Sequence, residues 1–182
     1  MRADARENLD RILAAAARLF AQEGADTSLK AIAKEADVGI ATLYRRFPTR
    51  EDLIEASYRN ETERLGRRAD ELLATNAPDA ALRAWMGEFV DYTLTKQGMS
   101  EALPAILAAR EGLRVHSRDV LRAAIDRILR AAAAADLLRA NVPAEDVMMA
   151  IGGVTLIAGH EHQRALADRL LDLLMAGLQR RT

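Results

Sequence analysis

Three breaks crowd the first third of the chain: Gly24, the turn-forming Asp37-Val38-Gly39, and Pro48. They constrain the fold more than any other feature, because only short helices fit between them. Gly24 follows an apolar stripe at helical spacing (Leu9, Ile12, Leu13, Ala16, Leu19 and Phe20) and can take the left-handed conformation that ends a helix. Asp26, Thr27 and Ser28 offer capping oxygens for a second helix over residues 29–36, with Leu29, Ile32 and Ala33 facing inward. After the turn comes GIATLYRRF, residues 39–47, and Pro48 disfavours helical geometry at the residue before it. Helix, three-residue turn, short helix is the plan of a helix-turn-helix.

The third helix of this plan is two-sided. Residues advance by about 100° each along a helix. Ile40, Leu43, Tyr44 and Phe47 then share one half, expected to pack on the preceding helices, while Ala41, Thr42, Arg45 and Arg46 share the other. An α-helix fits the major groove of DNA, where arginine binds guanine or pairs with phosphate and threonine meets a thymine methyl. Gly39 and Ala41 lack bulk, which lets the start of the helix approach a DNA backbone. The positive charge is local. The whole chain carries a formal net charge of −1, yet residues 27–50 set Lys30, Lys34, Arg45, Arg46 and Arg50 against Glu35 and Asp37, a net of +3. Residues 1–26 hold four basic and five acidic side chains. A positive potential confined to this element suits phosphate attraction. By itself, an arginine pair on a short helix also fits an ordinary solvated face.

The remainder reads as all-α. Alanine and leucine are abundant, only four prolines and ten glycines occur, and no β-branched residues alternate with polar ones over a useful length. Thr49 and Asp52 form a capping-box pattern for a fourth helix over about residues 50–74. Pro78 suits the first turn of a fifth helix carrying Leu82, Trp85, Met86, Phe89, Val90 and Leu94. Residues 96–100 break it, Ser100 caps a sixth, and Pro104 falls in that helix's early turns. A long helix is expected from near Ser117 to Leu138, another starting within residues 141–146, and a last one over residues 163–179. That makes about nine helices, without an internal repeat. The chain has no cysteine, which removes disulfides and thiolate metal sites and fits a reducing cytoplasm. The polar N-terminus predicts no signal peptide. The longest apolar run, residues 147–159, is too short to span a bilayer. A cytoplasmic protein without a membrane partner is therefore expected.

These residues resemble the TetR family of bacterial transcriptional regulators. The resemblance rests on Ala16, Leu19, Phe20, Gly24, Thr27, Ser28, Ile32, Ala33, Ala36, Val38, Leu43, Tyr44, Phe47, Arg50, Glu51 and Leu53, which agree in order and spacing over roughly residues 8–56. It implies a homodimeric DNA-binding repressor of nine or so helices. By it, Thr27 and Ser28 touch phosphate, Thr42, Arg45 and Arg46 face bases or nearby phosphates, Tyr44 contacts the backbone, and Arg50 holds phosphate. Four positions depart from the family pattern: Asp37 for glycine, Gly39 for serine, Ala41 for glycine and Arg46 for histidine.

Beyond about residue 75 the resemblance is one of architecture. The expected division is a helix-turn-helix domain over residues 1–50, a connecting helix, and a ligand-binding and dimerisation domain over residues 75–182. For a small-molecule effector, Trp85, Phe89, Tyr92, Met99, His116, Met148 and Thr155 are candidate lining residues, since aromatic and methionine side chains with a few polar groups make a usual pocket. Ordinary core packing is the alternative for each. The last helix has two apolar faces, one at Leu166, Leu170, Leu173 and Leu174, the other at Leu171, Met175 and Leu178. A homodimer through the last two helices is expected to use Met149, Gly152, Gly153, Leu156, Leu171, Met175 and Leu178, unless both faces serve the chain's own core.

Other functions are weakly supported. There is no phosphate-binding glycine loop, no HExxH and no Ser/His/Asp arrangement worth pursuing, so no enzyme activity and no cofactor are expected. His160 and His162 are two apart and diverge on a helix, so no metal site is expected there. The alternative to a ligand-responsive, DNA-binding repressor is a helical interaction module without sequence-specific DNA binding.

Overall fold

The computed structural model describes residues 2–24, 26–99, 102–160 and 164–180. Among them it has nine helices and no strand: α1 (Arg2–Glu23), α2 (Leu29–Glu35), α3 (Ile40–Arg46), α4 (Arg50–Thr75), α5 (Pro78–Gly98), α6 (Leu103–Ala109), α7 (Glu111–Ala134), α8 (Ala144–His160) and α9 (Arg164–Leu178). The all-α architecture is the expected one.

The N-terminal breaks act as the sequence implies. Gly24 has φ 84° and its N–H bonds the Phe20 carbonyl, closing α1. Ser28 caps α2, its hydroxyl oxygen accepting from the Ala31 N–H at 3.1 Å. Phe47 leaves α3 with extended backbone (φ −128°, ψ 89°) ahead of Pro48. The Thr49–Asp52 box is reciprocal: Asp52 N–H donates to Thr49 Oγ1 at 3.1 Å, and Thr49 N–H donates to Asp52 Oδ2 at 3.2 Å. Pro78 opens α5.

Two boundaries differ from expectation. The seventh helix begins at Glu111, not near Ser117, because the break falls at Arg110, whose guanidinium pairs with Asp52 and Glu55 on α4. It ends at Ala134, not Leu138. Asp136 turns left-handed (φ 60°), Leu137 N–H reaches back to the Ala132 carbonyl, and Leu138 pairs with Gln179 in an isolated bridge. The expected cap at Ser100 and the expected start of the last helix at Gln163 lie outside the described residues.

By packing, the chain forms two compact units: the residues up to Glu61 together with Thr95–Arg114, and Thr62–Leu94 together with the chain from Val115 onward. This grouping is not the linear division expected from the sequence. In the first unit, Ile12, Ala16, Phe20, Ile32, Leu43, Leu53 and Ile54 are fully buried. Each large apolar side chain so buried contributes about 1.5–3 kcal/mol. That matters most for α3, since an isolated helix of its length is unstable in water. Its anchors are Leu43 and Phe47.

In the second unit, a row on α5 runs inward: Leu82, Trp85, Met86, Phe89 and Val90. Gly66 lets α7 approach α4 closely, for a Cβ there would sit 2.6 Å from Val120 Cγ1. Arg127 fastens the same place, donating to the Gly66 carbonyl at 2.9 Å and to Asp70 at 3.0 Å. No helix among the described residues is long and apolar enough to cross a membrane.

Candidate nucleic-acid interface

The interface is built from the end of α1, the turn before α2, and α3. Ser28 is exposed, and with its oxygen accepting from Ala31 its hydroxyl proton remains available to an outside acceptor. Thr27 differs from expectation. It is 5% exposed, and its hydroxyl donates to the Gly24 carbonyl at 2.9 Å. Arg50 donates to the Thr27 carbonyl at 2.8 Å. Thr27 is therefore buried beside the end of α1, with its hydroxyl engaged by the Gly24 carbonyl. Lys30 lies exposed on α2.

The Asp37 turn shows what the chain requires there. Asp37 takes the left-handed conformation (φ 52°) that favours glycine and is tolerated by aspartate. Gly39 is extended (φ −66°), and a Cβ on it would meet Thr42 Oγ1 at only 3.8 Å, so its own backbone does not demand glycine. The absence of a side chain leaves the approach to α3 open.

On α3 the two halves separate less cleanly than the helical wheel implies. Leu43 and Phe47 are buried, but Ile40 is 39% and Tyr44 51% exposed. Ile40 opens α3, and in a seven-residue helix only Leu43 and the following Phe47 reach the core. Tyr44 consequently joins Ala41, Arg45 and Arg46 on the exposed surface, while Thr42 is half-buried. The arginines occupy the last turn of α3, where the helix dipole favours positive charge.

The electrostatics are sharper than the sequence sum. Glu35 pairs with Arg18 at 2.7 Å and Asp37 with Arg11 at 3.5 Å, so both acids of residues 27–50 are answered from α1. Among the described residues, Lys30, Lys34, Arg45 and Arg46 have no acidic partner. Sequence reasoning missed Arg11 and Arg18. Their seven-residue spacing, which places both on one face of a helix, was the available signal.

The residues named for ligand and dimer contacts fall in varied places. Trp85, Phe89 and Tyr92 form a buried aromatic row, with ring centroids 5.7 and 5.8 Å apart. Trp85 N–H donates to the Leu65 carbonyl at 2.9 Å, and Tyr92 and Thr62 hydroxyls meet at 3.0 Å. Thr155 is buried and Met148 half-buried. Of the other candidates, Met99 is buried in the other unit, and His116 is exposed, 3.8 Å from Glu63. His162 lies outside the described residues.

On α8, Met149, Gly153 and Leu156 are exposed and Gly152 is half-buried. Leu156 is 61% exposed, and Ile157 lies beside it. On α9 the two faces are exchanged relative to expectation. Leu171 and Leu178 are buried with Ala167, Met175 is half-buried, and Leu173 is 69% exposed. Leu171 and Leu178 serve the chain's own core, so they cannot be surface contacts.

Comparison with known proteins settles the family. Residues 12–57 match the bacterial regulatory proteins of the tetR family, and residues 77–180, more than half of the chain, match the SbtR-like transcriptional regulator C-terminal domain. The chain belongs to the TetR family. A TetR transcriptional regulator, SCO0520 of Streptomyces coelicolor, is 46% identical, with 96% of this chain and 99% of that one covered and a TM-score of 0.88. A TetR transcription regulatory protein of Mycobacterium vanbaalenii is 28% identical over 98% of this chain and 99% of that one, with a TM-score of 0.80. The HTH-type transcriptional regulator SAUSA300_2515 of Staphylococcus aureus (strain USA300) is 48% identical over 54 residues, which is 29% of either chain. This TetR-family protein is thus a transcriptional regulator with a DNA-binding helix-turn-helix made by α2 and α3.

Proposed function

We propose that this regulator is a ligand-responsive repressor that binds a palindromic operator as a homodimer and leaves it when a small-molecule effector binds. The observation that carries the reading is the set of unpaired cations on α2 and α3, left free because α1 neutralises the neighbouring acids. In this reading α3 enters the major groove. Arg45, Arg46 and Thr42 read bases or pair with flanking phosphates. Ser28, Lys30, Tyr44 and Arg50 hold the backbone, and the small Gly39 and Ala41 admit it.

Dimerisation through α8 and α9 is supported by the exposed Met149, Leu156, Ile157 and Leu173, large apolar groups that a soluble monomer rarely clusters. A Cβ on Gly152, Gly153 or Gly177 would meet nothing within 4 Å, so a second copy's helices have room to approach. The effector reading rests on the second unit. The aromatic row of Trp85, Phe89 and Tyr92 offers apolar contact, and the buried Ser117 hydroxyl has no hydrogen-bond partner among the described residues. An effector with one polar group satisfies it.

Selection of bound DNA from a random library tests the reading. The expected product is a two-fold symmetric sequence with half-sites about one helical turn, or a multiple, apart. Failure to enrich any sequence would favour a helical interaction module. A solution mass of one chain at micromolar concentration would remove the dimer.

A further inference from the structure

We infer that α1 supplies a wall of the DNA-binding surface, with Asn8 as a donor to the sugar-phosphate backbone. A groove of about 300 Å³ runs between α1 and α3, lined by Asn8, Leu9, Ile12, Thr42, Arg45 and Arg46. Three of these six belong to the proposed base- and phosphate-facing set on α3, so those side chains border a trough whose opposite wall is α1. The chemistry of the trough matches one DNA strand. Leu9, half-buried above the buried Ile12, offers apolar contact to a deoxyribose ring, and the two guanidinium groups attract the phosphate joined to it.

The orientation of Asn8 follows from its neighbour. Arg11 bridges Asp37 and Asn8, and a guanidinium only donates, so the Asn8 atom it faces is the carbonyl oxygen. The Asn8 amide N–H groups are not used by Arg11, and Asn8 is the polar side chain that α1 contributes to the lining of the groove. The chain Asp37–Arg11–Asn8 gives the left-handed aspartate a second consequence. It pairs at the surface with Arg11, and Arg11 in turn engages the Asn8 carbonyl oxygen.

This inference rests on the DNA-binding reading, and the experiment separates the two. Binding of a random-sequence duplex is measured against salt concentration for the full chain and three variants, with thermal unfolding alongside. Asn8→Asp keeps an acceptor for Arg11 and so keeps the fold, but it loses the donors and repels phosphate. It is expected to unfold at or above the parent temperature while binding DNA about tenfold more weakly. Asn8→Ala is expected to bind about three- to tenfold more weakly, as for one lost hydrogen bond to a charged group. Its salt slope stays unchanged, because a neutral amide displaces no counterion, whereas Arg46→Ala lowers the slope by about 0.9. Parent-like DNA binding by Asn8→Asp, with Arg46→Ala impaired, overturns the α1 wall and leaves the α3 reading intact. Parent-like binding by Arg46→Ala as well overturns the arginine face itself.

Discussion

The α2–α3 segment and the second unit handle their arginines in opposite ways. In the second unit, Arg68 is held by both Glu71 and Glu88, Arg83 by Asp168 and Asp172, Arg127 by Asp70, Arg164 by Asp91 and Asp168, and Arg180 by Asp136. The grip on Arg68 is bidentate, and the hydrogen bonds to Glu88 and Glu71 raise its pKa further above the ordinary arginine value. In the α2–α3 segment the pairing runs the other way, with arginines of α1 spent on acids so that the segment's own cations stay free. Net charge hides this difference. A chain at −1 can still present a cationic face when its acids are committed elsewhere.

The strongest way to break the comparison is Arg45→Ala with Arg46→Ala. If the free cations exist for DNA, the double variant loses about 10²-fold or more in affinity for the selected operator, at about 1–3 kcal/mol per specific arginine contact. Its salt slope falls by about 2. Because both side chains are exposed and unpaired, unfolding stability stays within about 0.5 kcal/mol of the parent. A large stability loss, or retained DNA affinity, would place these arginines in the same structural class as Arg68.

Much of the DNA-binding element was legible beforehand because its signals are local. Gly24, the Ser28 cap, the Thr49–Asp52 box and Pro48 each act within four residues of themselves, and each does what its chemistry implies. What the sequence concealed depends on distant partners. Ile40 is apolar and on the inner half of its helix, yet it stays 39% exposed at the first turn of α3. Thr27 looks like a phosphate ligand until the end of α1 is placed beside it. The start of α7 is set by acids on α4, about 55 residues earlier, a separation no local pattern reports. On α9, leucines occur nearly all round, and the choice of the face with Leu171 and Leu178 as the inner one is made by packing in three dimensions. The Asp37–Arg11 pair joins residues 26 positions apart and was invisible for the same reason.

Gly66→Ala sharpens the comparison from the other side. The second unit is held by close packing as well as by ion pairs, and an added methyl would lie 2.6 Å from Val120 Cγ1. Valine is stiff at χ1, so the helices must shift. Overpacking of this kind costs about 1–3 kcal/mol, less the gain of about 1 kcal/mol for alanine over glycine in a helix. A net loss near 1 kcal/mol is expected in thermal unfolding. Val120→Ala should relieve it, so the double variant recovers part of the loss beyond additivity. Strict additivity would show that the contact does not govern how α4 and α7 pack.

The smallest expected effects discriminate most finely between local and global charge. Asp126→Asn releases Arg130 from its i,i+4 pair on α7, while Lys34→Gln removes one unpaired cation from α2. The Asp126–Arg130 pair and Lys34 are at the surface, so each variant should change stability by less than about 0.5 kcal/mol. Their effects on DNA binding should differ. Lys34→Gln lowers the salt slope by about 0.9 if that lysine displaces a counterion. Asp126→Asn makes the chain more positive by one charge, so if overall charge governed binding it would strengthen it. If the face made by α2 and α3 governs binding, the freed Arg130 leaves affinity and slope where they were. An increase in generic DNA affinity on Asp126→Asn would mean that pairing in the second unit suppresses a second DNA-attracting surface, and the contrast between the two regions would then be one of degree.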